Sequence, residues 1–157
     1  MVIDGHASLV ISTRTRRLEE LTRLLLIEPT VYWELGDPYT LTIGRLAGRS
    51  GVRPVSMWAL HISDEDFEHP DDQTGLASLR RLANLLSGKG AILSSLRPEL
   101  EPTILWSGDS DSSQGGFYLP LDLIRDLGEL GCDVMMTVYN KEKKYKKKRR
   151  KDSRRSS

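Results

Sequence analysis

The chain has 157 residues, 38% of them apolar and 29% charged, with one cysteine and a formal net charge of +1. A lone cysteine excludes an internal disulfide framework and points to a reducing, cytoplasmic setting, and no run approaches the roughly 20 apolar residues of a membrane span or the pattern of a secretory signal. The near-neutral total hides two halves: residues 141–157 hold 11 Lys or Arg and 2 acidic residues, leaving 12 basic and 20 acidic residues for 1–140.

One α+β domain is therefore expected over residues 1–140, near the usual domain size, followed by a disordered basic tail over 141–157. Ala7 to Thr13 alternates like a strand. Leu18, Leu21, Leu24 and Leu25 recur at helical spacing, with Thr15 placed to cap the helix and Pro29 just past its end. Tyr32 and Trp33 then fall in a loop, Gly36-Asp37-Pro38 marks a turn, Thr40 to Ile43 forms a short strand and Gly44 to Pro54 a glycine-punctuated loop. Ser56 to Ile62 is the third strand, and the acidic stretch from Ser63 to Gln73 is a surface loop. A helix from Thr74 to Leu86, resuming after Gly88-Lys89-Gly90, turns Leu79, Leu82, Leu86 and Leu93 inward. Thr103 to Ser107 is the fourth strand, and a short one runs from Gly116 to Leu119 after a polar loop. Pro120 opens a helix with Leu123, Ile124, Leu127 and Leu130 on one face, Gly131 ends it, and Val134 to Tyr139 is the last strand. The resulting order is β-α-β-β-α-β followed by β-α-β: a two-layer α+β fold, helices on one face of a mixed sheet, whose first six elements run in ferredoxin-like order.

Some of these residues carry a family likeness. The run from Leu21 to Thr30 (LTRLLLIEPT), then Gly36-Asp37, Trp58 and Leu60, and Gly115-Gly116-Phe117 leading to Leu123, Leu127, Leu130 and Gly131, resembles the uncharacterised bacterial family catalogued as domain of unknown function 4279. The resemblance spans most of residues 1–140 and none of the tail. It implies a bacterial α+β domain with no established reaction, so no catalytic residue is carried over. Leu26 departs from it, at a helix end where the family is expected to have glycine.

No combination of residues amounts to a catalytic set. Gly108-Asp109-Ser110 follows an apolar strand as a hydrolase nucleophile would, but His6, His61 and His69 all precede it, and a surface turn is the better reading. Asp109-x-Asp111-x-Ser113 imitates the start of a calcium loop or of an aspartate-nucleophile phosphatase. Gln114 and Pro120 stand where the calcium cage needs glycine and glutamate, and too little chain follows Asp111 to supply the acid cluster of a phosphatase. His61, Asp64, Asp66, Glu68, His69 and Asp71 are ligand types without a ligand spacing, and Ser87-Gly88-Lys89-Gly90 lacks the first glycine of a phosphate loop. No cofactor and no metal are expected. Cys132 reads as a small buried residue, and Trp58 and Trp106 as core. Tyr32 and Trp33 are the candidates for protein contact. Lys143, Lys144, Lys146, Lys147, Lys148, Arg149, Arg150 and Lys151 are the candidates for polyanion contact.

The first functional expectation is a non-enzymatic protein-binding module of the immunity or antitoxin kind, whose acidic body steers a basic protein partner. The alternative is an accessory nucleic-acid binder that uses the tail. Because only Tyr145 interrupts the basic run, its contacts would be sequence-indifferent and salt-sensitive. The remaining alternative is a hydrolase or metal-dependent enzyme built on residues 108–113.

Overall fold

The first strand in the sequence is the middle strand of the sheet. A computed structural model of the chain describes residues 2–15, 18–66, 75–110 and 118–140. In it β1 (Val2–Thr13) pairs antiparallel with β5 (Ser56–Ser63) on one side and β6 (Thr103–Ser110) on the other. β2 (Val31–Trp33) closes one edge, antiparallel to β5, and β7 (Asp133–Asn140) closes the other, parallel to β6. The order is β2-β5-β1-β6-β7, a five-stranded mixed sheet. β3 (Pro38–Thr40) and β4 (Ser50–Val52) form a separate two-stranded hairpin. The parallel pair needs a crossover, and α4 (Leu121–Glu129) supplies it.

Period-two alternation divides the sheet into two faces. Ala7, Leu9 and Ile11 of β1 are fully buried, flanked by Trp58 and Leu60 on β5 and by Ile104 and Trp106 on β6. Leucines of α1 (Leu21–Leu25), α2 (Ala77–Leu85), α3 (Gly90–Ser95) and α4 join them in one core. On the other face His6, Ser12, His61, Met135 and Tyr139 are exposed. α3 begins hard against the last turn of α4, where a Cβ on Gly90 would overlap the Glu129 carbonyl oxygen. Arg80 on α2 reaches Asp122 on α4 at 2.6 Å, and this hydrogen bond holds the Asp122 carboxyl below its ordinary pKa.

Two buried carboxylates fasten distant segments. Asp64, in the 3₁₀ turn after β5, accepts the Gly5 N–H at 2.8 Å and the Ser78 N–H at 2.6 Å. Gly5 lies where β1 shifts register against β6, and a Cβ there would sit 2.5 Å from the Gly75 carbonyl oxygen and 2.6 Å from Asp64 Oδ2. Glu34, just past β2, accepts the Leu18 N–H at 2.9 Å, the Ser56 hydroxyl at 2.7 Å and the Tyr32 hydroxyl.

Several expectations are corrected. Tyr32 and Trp33 belong to strand β2, not to a loop. The strand expected at Thr40 to Ile43 lies at Pro38–Thr40, and the expected loop from Gly44 to Pro54 contains β4. Gly108, Asp109 and Ser110 form no turn: they extend β6, because β1 and β7 offer them Ile3, Val2, Val138, Tyr139 and Asn140 as partners. Tyr118 and Leu119 are not in a strand. Gly116, Phe117 and the tail from Lys141 lie outside the described residues. The helix expected around Leu18 to Leu25 shrinks to one turn and a half, and Thr15 does not cap it; the Thr15 N–H bonds the Thr13 hydroxyl instead. The stop is set by Leu26, which takes a left-handed conformation at φ 55°.

A left-handed non-glycine residue costs about 1–2 kcal/mol, and Leu26 offsets little of that because its side chain is 80% exposed. Leu26→Gly is expected to raise stability by up to about 1 kcal/mol, read as a higher urea midpoint at unchanged slope. A lower midpoint would show that the leucine packs against something that stabilises it more than the backbone is strained.

Candidate protein-contact surface

From Leu35 to Val55 the chain contributes no residue to the core. Segments outside the core lie on the surface, where composition is not dictated by packing. This segment forms an arm: β3 and β4 pair, Leu41 and Arg49 continue the ladder at 2.9 Å, Gly48 donates back to Leu41 at 2.7 Å, and a turn closes at Gly44–Ala47. Ile43 is 85% exposed and Val52 66%, and Leu46 is exposed as well. Between Pro38 and Val55 there are three arginines, Arg45, Arg49 and Arg53, and no acidic residue, although the domain around them is acidic.

One side chain ties the arm to the sheet. Arg53 lies over the Trp33 ring at 4.1 Å and over the Tyr39 ring at 4.6 Å, so its guanidinium is stacked between β2 and β3. Its backbone closes the same joint: the Arg53 N–H donates to Asp37 at 2.8 Å, and the Gly36 N–H donates to the Arg53 carbonyl at 2.9 Å. Asp37 in turn accepts the Glu34 N–H at 2.8 Å. Cation–π contact favours arginine over lysine here, because the planar group can face both rings.

The two residues singled out for protein contact therefore have different surroundings. Trp33 is half-buried under Arg53 and sets the base of the arm. Tyr32 points to the helix face, opposite Trp58, and its hydroxyl is committed to Glu34. The basic residues from Lys143 to Lys151 lie outside the described residues. Sequence reasoning missed Arg53 and the apolar tip, since one arginine in a glycine-rich stretch gives no local sign of the rings it will meet.

The residues weighed for chemistry scatter. Asp109 and Ser110 are consecutive in a strand, so they face opposite sides of the sheet: Ser110 is buried and Asp109 half-exposed. Asp64 is buried on the helix side whereas His61 is exposed on the open face. Trp33, His61 and Asp109 do share the open face, but four residues of strand separate the rows of Trp33 and His61, about 13 Å. Among the described residues no three His, Cys, Asp or Glu side chains gather as metal ligands. Glu68, His69, Asp71 and Asp111 lie outside the described residues.

The open face carries one pair the sequence concealed, Ser8 Oγ and His61 Nδ1 at 2.6 Å, brought together by cross-strand register. Ser8 sits on the central strand, where backbone N–H groups are spent in the ladders to either side, so its own strand offers none to an oxyanion. A cleft of about 320 Å³ between α2, α3 and α4 is lined by Asn84, Ser87, Asp126 and Glu129, with no basic residue. No helix among the described residues is long and apolar enough to cross a membrane.

Cys132 is half-buried before β7, and its thiol donates to the Leu130 carbonyl at 3.6 Å. Burial pushes the thiol up to about 11, with Arg97 opposing and Asp133 adding to the shift. Its alkylation at pH 8 is expected to be about a hundredfold slower than that of an unstructured cysteine, and to recover in denaturant. Because the folded value lies above the usual 9.0, the stability gained by keeping the thiol protonated is intact below pH 9 and lost as pH rises towards 11. Rapid alkylation of the folded chain at pH 8 would contradict this.

No curated protein and no solved structure matches the chain. The model of one family, described as Domain of unknown function (DUF4279), matches residues 4–141, all but the first few residues and the basic tail. With the match covering most of its length, the chain belongs to the DUF4279 family.

Proposed function

We propose that this domain is a protein-binding module that works without catalysis, of the immunity or antitoxin kind, and that the β3–β4 arm is its contact surface. The observation that carries the reading is the arm itself: exposed apolar side chains at Ile43, Leu46 and Val52, three arginines against one acid, Asp37 at its base, and an orientation fixed by the Trp33–Arg53–Tyr39 stack. Aromatic and arginine residues on a rigid base are what interfaces favour, because little side-chain freedom is lost on binding. Exposed acidic groups away from the arm, Asp122, Asp126 and Glu129 on α4 and Glu19 and Glu20 before α1, supply the field that attracts a basic partner from a distance. For the architecture we propose a ferredoxin-like core of β1, β2, β5 and β6 extended by the α4–β7 unit, a reading supported by the order β2-β5-β1-β6 with every pair antiparallel.

The test is co-expression with the product of the adjoining reading frame, scoring protection from its toxicity and co-purification. Ile43→Asp with Val52→Asp changes only exposed positions, so the fold should persist by circular dichroism while binding weakens by roughly a hundredfold or more. Protection that survives both substitutions would remove the arm from the interface, and a neighbour that neither harms the cell nor binds would remove the immunity reading.

The tail supports a second reading, accessory nucleic-acid binding, because 11 of its 17 residues are Lys or Arg. On that reading the full chain binds duplex DNA of any sequence and loses about a thousandfold in affinity between roughly 50 and 200 mM salt, whereas a chain ending at Asn140 does not bind. Equal binding by both chains would dismiss it.

A further inference from the structure

Arg53 ties the arm to the sheet, yet the hydrogen-bond donors of its side chain have no partner among the described residues. The guanidinium lies over two rings, 4.1 Å from that of Trp33 and 4.6 Å from that of Tyr39, so ring contact takes up its faces and leaves its edge. All of its N–H groups lie in that edge. The residue is only half-buried, which keeps the edge within reach of a ligand. Beside it the Trp33 Nε1–H is buried and has no acceptor either. A buried donor without an acceptor is unfavourable, and two adjacent donors in want of an oxygen mark a place where a ligand supplies it.

The hairpin adds a second cation on the same side. Tyr39 and Gly51 are directly opposite each other and so share a face, and Arg49 and Arg53 flank Gly51 two residues away in either direction, which turns both arginines to the side of Tyr39. Gly51 leaves room for the Tyr39 ring to lie across the strand, since a Cβ there would come within 3.1 Å of the Tyr39 hydroxyl. Arg49 is exposed and has no acidic partner among the described residues. Trp33, Arg53, Tyr39 and Arg49 thus alternate ring and cation, and no acid between Pro38 and Val55 neutralises them.

We propose that this row is a carboxylate-binding site, and that its ligand is an aspartate or glutamate side chain of the protein partner, which takes the Arg53 edge and gives the Trp33 N–H its acceptor. The planar fork of a guanidinium matches the two oxygens of a carboxylate, which keep lone pairs to spare for the indole. Rings that hold the guanidinium in place beforehand reduce the entropy lost on contact. Nucleic acid and an anionic membrane are poorer occupants, because residues 1–140 hold 12 basic against 20 acidic residues. That field repels a polyanion, but not a single carboxylate on an otherwise basic protein. The inference rests on the arm being the contact surface, and it narrows the partner to a basic protein with an acidic spot where the arm lands.

The probe is N-acetylated tetraglutamate added in excess to the full chain, with tetralysine and inorganic phosphate as controls, followed by the nitrogen–proton resonances of the Trp33 indole and the Arg53 Nε–H. Tetraglutamate should move both resonances to saturation, the indole one downfield as it gains a hydrogen bond, and tetralysine should move neither. Arg53→Lys keeps the charge but not the fork and should weaken the contact by roughly tenfold or more. Trp33→Phe keeps a ring under Arg53 and should weaken it by roughly threefold or more. The resonances of the native chain decide the matter even if the Arg53 variant loosens the arm. Resonances that stay still in excess tetraglutamate, phosphate that moves them at lower concentration than tetraglutamate does, or undiminished affinity in both variants would overturn the proposal. Loss of partner binding in Ile43→Asp with Val52→Asp, alongside an unmoved Trp33 resonance, would keep the arm as the interface and strike the carboxylate site alone.

Discussion

The Asp64 carboxylate holds the middle of the fold in place. It follows β5 directly and binds the backbone of β1 at Gly5 and of α2 at Ser78, so it locks the central strand, one of its neighbours and the first long helix to one another. Burial of a carboxylate is costly unless its oxygens are satisfied, and here backbone N–H groups of two distant segments meet both of them. An apolar residue in its place would orphan both donors, and asparagine could serve only one oxygen of the two. Glu34 acts in the same way at the β2 edge, gathering Leu18, Tyr32 and Ser56. These two acids belong to the architecture, and among the described residues no other acid is buried.

That division explains how an acidic domain can present a basic, apolar arm. The sheet and four helices close their core without any residue from 35 to 55, so the arm is free of packing duty and its composition is set by something other than stability. What the fold does supply is direction. Trp33 belongs to the main sheet, Tyr39 to the arm, and the Arg53 guanidinium lies between them, so the arm is held at an angle that a flexible glycine-rich loop would not keep. The scatter of Asp109, Ser110, His61 and Asp64 over opposite faces and distant rows gives no comparable focus for chemistry.

The parts of the fold that were legible in the sequence are those with a local cause. Leu79, Leu82, Leu86 and Leu93 are buried as their spacing demands, and Trp58 and Trp106 lie in the core because large aromatic residues in alternating strands have nowhere better to go. Membership of the DUF4279 family was also readable, from the Leu21–Thr30 run and the aromatic and glycine positions after it. The misreadings have tertiary causes. Gly108-Asp109-Ser110 has the composition of a turn, yet partners on both sides hold it extended. Tyr32 and Trp33 form a strand of only three residues, too short to show alternation, which exists because β5 offers an edge. Apart from the Tyr32–Glu34 contact, the clamps of Asp64 and Glu34 and the stacking of Arg53 join residues 14 to 59 positions apart and leave no periodic trace.

A central strand that is made first has to wait. β1 emerges from the ribosome before either of the strands it pairs with: its β5 neighbour follows some fifty residues later, and β6 is complete only at Ser110. At the usual pace of about 5–20 residues per second, Leu9 and Ile11 stay without their final neighbours for several seconds or more. The topology thus has high contact order by construction, and native pairing cannot proceed from one end of the chain to the other. The alternating serines of β1, Ser8 and Ser12, then gain a role unrelated to the finished surface: they keep the waiting strand from presenting apolar side chains on both faces to other nascent chains.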